Sequence, residues 1–195
     1  MWKPASSAPA VSYFLRMQIR RPLATTLLVA VMVSGCASPP VTGPTASPAP
    51  TTTPVFASEA EALEAAREAY AAYETLSDEI LQSGGEQPER IAAVATGEAY
   101  TDALSGYENF RTSGYRLIGS PTATVTSLQT YSPTSVTAYV CLDVSGTDVV
   151  DQTGESIVAP DRPLKQPFVV TFDASENGSI FLASRSAWEG KGICD

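Results

Sequence analysis

The residues able to do chemistry are few. Histidine is absent, which removes the commonest general base, zinc ligand and partner for a nucleophilic Ser or Cys. Gly84-Gly85 closes an apolar-periodic run and lacks the lysine of a phosphate loop. No Ser sits in Gly-x-Ser-x-Gly, and there is no Cys-x-x-Cys. Asp148 and Asp151 stand three apart near a strand. A period of two puts them on opposite faces if extended, so solvated turn positions explain them better than a carboxylate site. No cofactor and no metal is implied. Arg162, Arg185 and Trp188 stand out as candidates for a contact surface, since Arg and Trp are enriched at interface hot spots. A Trp near a C-terminal cysteine is equally a core plug.

Ahead of all these lies a basic pair, Arg20-Arg21, then the apolar run Leu23 to Val33, then Ser34-Gly35-Cys36. A run of eleven residues is too short for a hydrocarbon core that needs about twenty. A cationic flank, a short apolar stretch and small residues make a signal peptide over 1–35, and Met17 makes a better start than Met1. Val33-Ser34-Gly35-Cys36 resembles the lipobox of bacterial lipoproteins. That resemblance implies a diacylglycerol thioether on Cys36, cleavage before it, and anchorage on the extracytoplasmic face of the cell membrane. At least two acyl chains are needed for stable anchoring, and the modification supplies them.

All 21 acidic residues follow Cys36 and four of the 12 basic ones precede it, leaving 8 against 21, a net charge of −13. Phosphate contacts need clustered Lys and Arg, so nucleic acid is excluded as a partner. Anionic headgroups would repel the folded part. Residues 36–55 are Pro, Thr, Ser, Ala and Gly with almost nothing to bury, a semi-extended tether. Residues 56–195 suit one domain. With Cys36 lipidated, Cys141 and Cys194 remain in an oxidising compartment. A disulfide between them is expected, with free thiols or half a metal site as the alternatives. The bridge would close about 54 residues and contribute roughly 4 kcal/mol.

The elements come in a definite order. Ser58 and Glu61 form a capping box. Leu63, Ala66, Tyr70, Tyr73 and Ile80 follow on one helical face, ended by Ser83-Gly84-Gly85. Pro88 starts a short second helix with Ile91 and Val94. Thr96 opens a third, with Tyr100, Leu104, Tyr107 and Phe110 on one face, stopped by Ser113-Gly114. The period then changes to strands over Tyr115–Gly119 and Ala123–Tyr131, with strict alternation from Val136 to Val144 that turns Tyr139, Cys141 and Asp143 away from the core. Thr147–Asp151 is a short strand. Pro167–Asp173 and Ser179–Trp188 pair across a turn at Asn177-Gly178.

Helices followed by antiparallel strands make an α+β fold, with N-terminal helices packed on a curved antiparallel sheet. This order resembles the NTF2-like, or cystatin-like, cone. The stretches Cys141-Leu-Asp-Val-Ser-Gly-Thr-Asp-Val-Val-Asp151, Asp161-Arg-Pro163 and Trp188-Glu-Gly-Lys-Gly-Ile-Cys194 look like actinobacterial lipoproteins of that type. The resemblance implies a non-enzymatic accessory or interaction module of the cell envelope. Its partner would be an envelope protein, or a small apolar ligand if the cone is hollow. Cone-fold isomerases and cyclases use a pocket carboxylate with a tyrosine donor, a role open to Asp143, Tyr139, Tyr70 and Tyr100 only if they meet inside.

Overall fold

A computed structural model describes residues 55–195. The segment expected to be a signal peptide, the expected lipidation site Cys36 and the expected tether up to residue 54 lie outside the described residues. Helix α1 spans Glu59–Gln82 and α2 spans Gly97–Ser113, with a 3-10 helix at Pro88–Ala93 between them. The strands are β1 (Arg116–Ile118), β2 (Thr122–Tyr131), β3 (Ser135–Asp143), β4 (Asp148–Val150), β5 (Lys165–Ala174) and β6 (Ile180–Ala187). β2-β3-β5-β6 form one antiparallel sheet in that order, and β1 pairs with β4 in a second, two-stranded one. The α+β architecture read from the sequence is the one observed.

α1 starts where the capping box places it. The Glu61 N–H donates to Ser58 Oγ at 3.2 Å, and Glu61 Oε2 accepts from the Ala57 N–H, one residue before the cap, at 2.8 Å. Just upstream, the Val55 N–H donates to the Pro133 carbonyl in the β2–β3 turn, and Phe56 is buried. The buried stripe of α1 is Ala62, Ala66, Tyr70, Tyr73, Ser77 and Ile80. It is centred on Ala62 rather than Leu63, which packs at its margin. α2 buries Ala99 and Tyr107, while Tyr100, Leu104 and Phe110 are only partly covered. The small Ala99 side keeps α2 close to β6. Gly85, at φ 83°, lies against the Tyr107 carbonyl so tightly that any side chain there would collide with it.

One face of the sheet is core. β3 alternates as read, with Val136, Ala138, Val140 and Leu142 buried. Across the sheet the first three meet Phe172, Val170 and Phe168 of β5, and Leu142 stands opposite Gln166. Three irregularities interrupt the ladder: two in β2, between Val125/Ser127 and Leu128/Thr130, and one between β5 and β6 at Thr171/Phe172. Extra residues of this kind bend a strand and raise its twist, which gives the sheet its curvature. The far edge is partly closed, because the Leu182 N–H donates to the Val94 carbonyl and the Thr96 N–H to the Leu182 carbonyl.

On the outer face, Cys141 and Cys194 are joined as a disulfide. The tail after β6 therefore folds back over β3, with the Trp188 ring 5.0 Å from that of Tyr139.

Candidate functional site

The β6 irregularity decides where the one notable cation on the sheet points. Leu182 pairs with Phe172 on the core face, and strict alternation from there would turn Arg185 outward. Ladder partners on one face lie opposite each other, and Arg185 pairs with Val170, itself a core residue. The additional residue at Ala183 brings Arg185 onto the concave face in the row of Leu128, Ala138 and Val170.

There the guanidinium lies over the Phe168 ring, 4.0 Å from its centroid. Arg185 Nη2 stands 3.9 Å from Glu74 Oε1, with side chains 25% and 14% exposed. That is the limit of an ion pair and too long for a hydrogen bond. Glu74 arrives because it is one helical turn after Tyr70 and adjoins Tyr73 on α1. The Tyr70 ring meets Phe172 edge-on at 6.4 Å and lies 6.1 Å from Tyr73. Three polar atoms here are buried with no hydrogen-bond partner: Tyr70 Oη, Tyr107 Oη and Arg185 Nε.

Burial pushes the Glu74 carboxyl above the usual range, with Arg185 pulling it back. Burial also opposes the Arg185 charge, but Tyr70, Glu74 and Tyr73 more than offset this and keep it cationic. Desolvation raises the Tyr70 and Tyr107 phenols well above their ordinary value and raises that of Tyr73 as well. All three are therefore neutral at physiological pH, able to donate a hydrogen bond and unsuited to act as bases. Between α1, α2 and the sheet remains a cleft of about 340 Å³, bordered by Tyr73, Ala103, Tyr107, Phe110, Phe168 and Arg185. The arrangement can hold a polar group at a charged, donor-rich floor; it offers no activated nucleophile.

The residues singled out from the sequence are dispersed. Asp143 ends β3 on the outer face, where the Ser145 hydroxyl, and then the Ser145 N–H donating at 2.9 Å, hold its carboxyl below the usual range. Tyr139, also outside, accepts from Gln129 Nε2 at 2.9 Å. Tyr100 borders a separate groove of about 560 Å³ with Thr96, Asp173 and Phe181. Only Tyr70 faces the interior, so the Asp143-centred isomerase site does not assemble. Asp148 is not a turn residue: it opens β4 opposite Ile118 and accepts from the Ser156 hydroxyl, whereas Asp151 lies just after β4 and accepts from Thr153 and from the Glu155 N–H, so the two form no carboxylate site.

Arg162, Arg185 and Trp188 do not share a surface either. Arg162 Nη2 donates to the Val144 and Thr147 carbonyls and braces the loop after β3. Arg185 is inside. Trp188 lies on the outer face with its Nε1 buried and unpartnered. What sequence reading passed over is Glu74, whose spacing of four from Tyr70 already placed an acid beside the aromatic stripe.

A second acid on α1 gives a pH signature. Asp78 is half-buried one turn after Glu74, and burial pushes it up to about 6, against the Ser120 hydroxyl and with Glu74 adding to the rise. Its folded pKa is above the unfolded one, so its contribution is complete below the ordinary carboxylate range and is lost as pH rises through about 6. Asp78→Asn is therefore expected to melt higher than the parent at pH 7.5, by no more than about 1 kcal/mol since the group is half in water. The gap should narrow as pH falls through about 6 and close only below about pH 3.8; a gap that stays constant across thermal melts would place the gain elsewhere.

No protein-family model matches this chain, and no curated protein sequence does. Among solved structures, the intermembrane space region of the chloroplast protein ARC6 is similar at TM-score 0.52 and 10% identity, over 64% of this chain and 95% of that one. At that identity the likeness is one of fold alone. Two structures of a protein from Catenulispora acidiphila align more weakly, over 64% of this chain and 92% and 91% of theirs. One, in complex with S-DNPA, has TM-score 0.42 and 14% identity, and the other 0.38 and 13%.

Proposed function

We propose that this chain is a lipoprotein held on the extracytoplasmic face of the cell membrane through Cys36, its α+β domain serving as a non-enzymatic interaction module of the cell envelope. The observation that carries the binding rather than catalytic reading is the filling of the concave face. Tyr70, Phe172, Val136 and Val170 are all fully buried there, and the interior carboxylate of Glu74 lies beside a cation instead of standing free as a base. The order of basic pair, short apolar run, small residues and cysteine supports the anchor.

Cys36→Ala tests it. The wild type is expected almost entirely in carbonate-washed membranes and the variant almost entirely in the soluble or secreted fraction, by immunoblot of the two. Wild type and variant partitioning alike would remove the lipid from the account. A second reading, a small-ligand binder, is favoured by the cleft beside Arg185.

A further inference from the structure

We infer that the cleft between α1, α2 and the sheet binds a compact, uncharged molecule with an aromatic or apolar body and a carbonyl-type acceptor oxygen, held at Arg185 and Tyr107. This deepens the small-ligand reading of the domain and rests on it; it is independent of the anchor.

Four observations converge. The cleft, about 340 Å³, is at the small end of the range of about 300–1,000 Å³ typical of ligand sites, room for one or two rings. Its walls are Ala99, Ala103, Phe110 and Phe168, apolar and partly aromatic. At its floor, Tyr107 Oη and Arg185 Nε are buried and make no hydrogen bond of normal length and angle, although the Tyr73 hydroxyl is a polar neighbour of both side chains and Ser77 of Tyr107, and each can donate. A buried donor left unpaired is costly, so an acceptor oxygen is the group that relieves both. The loose 3.9 Å contact with Glu74 leaves the guanidinium head free to shift toward it.

Charge then selects among acceptors. Arg185 and Glu74 together are neutral. A carboxylate ligand would make two anions around one cation, with Asp102 a third at the cleft border; an ammonium would face Arg185 directly. In a poorly hydrated site either imbalance is heavily penalised. A ketone, ester or amide oxygen meets the donors without adding charge.

Acetophenone is the probe, with phenylacetate and phenethylamine as its charged counterparts, titrated into the full chain carrying Cys36→Ala so that no detergent competes. Amide NMR shifts are expected to saturate with acetophenone at residues around Ala103, Tyr107 and Phe168, and both charged compounds should bind at least tenfold more weakly. Tyr107→Phe keeps the ring and should weaken acetophenone about fivefold without lowering the melting temperature. The double variant Glu74→Gln/Arg185→Met should abolish binding while remaining folded. Absence of saturable shifts in the cleft overturns the proposal. So does phenylacetate or phenethylamine binding as well as acetophenone, or affinity unchanged in both variants. Membrane partitioning of wild type and Cys36→Ala is read separately, so failure of the cleft leaves the anchor standing or falling on its own data.

Discussion

Breaking the Cys141–Cys194 bridge, by reduction or by paired Cys→Ser substitution, is expected to lower stability by about 4 kcal/mol. The bridge spans a sequence separation of 53, and its loss returns that loop's entropy to the unfolded chain. For a domain of this size the melting temperature should fall by roughly 10–15 °C. A local effect accompanies the global one. The tail from Trp188 onward is held on the outer face by the disulfide, the Tyr139 stacking and the Trp188 N–H to Pro167 carbonyl bond at 2.9 Å. With the covalent link gone, Trp188 should lose shielding and its fluorescence should shift to the red before the main transition. Oxidised and reduced protein melting within about 2 °C of each other would mean that the bridge constrains little.

The second large effect is at the buried pair. Arg185→Met removes the cation and leaves the Glu74 carboxylate 14% exposed with no counter-charge. Removing one partner of a buried pair costs about 3 kcal/mol or more. The pH dependence has a fixed sign. Burial already raises the Glu74 pKa, Arg185 restrains that rise, and without Arg185 it goes further. A folded pKa above the unfolded one means that stability is present below the ordinary carboxylate range and lost as pH rises through the raised value. The deficit of Arg185→Met should thus be greatest near pH 7.5 and least near pH 4. Adding Glu74→Gln should recover most of it at neutral pH, a non-additivity that chemical denaturation of the four proteins would measure. Additive single effects would show that the two side chains are not coupled.

These two cases also mark how far the sequence could be read. The disulfide was expected from the cysteine count, and its outer-face position from alternation in β3, because a strand with Val136, Ala138 and Val140 inward must turn Cys141 outward. The capping box at Ser58, the aromatic stripe on α1 and the Asn177-Gly178 hairpin are likewise local patterns with local causes, and each appears at its place. Arg185 was not legible in that way. Its side is set by a single additional residue at Ala183, and a one-residue change reverses the facing of everything after it. No periodicity announces such an irregularity beforehand, since it arises where β6 also bonds to the Val94–Thr96 segment, a contact between distant parts of the chain. The Glu74 site shows an intermediate case. The spacing from Tyr70 was visible, but its meaning depended on Arg185, which the sequence offered only as a candidate for a contact surface.

The bond between Val55 and Pro133 has a mechanical consequence. Force applied along the chain from its N-terminal side enters the described domain at Val55, and there it meets one hydrogen bond to the β2–β3 turn and the buried ring of Phe56 before it reaches the capped start of α1. The load is thereby shared between a helix end and a strand turn instead of peeling α1 from its first residue. A pull applied at Val55 is expected to extract Phe56 as a separate, low-force event, leaving the sheet and the Tyr70 core to give way only later.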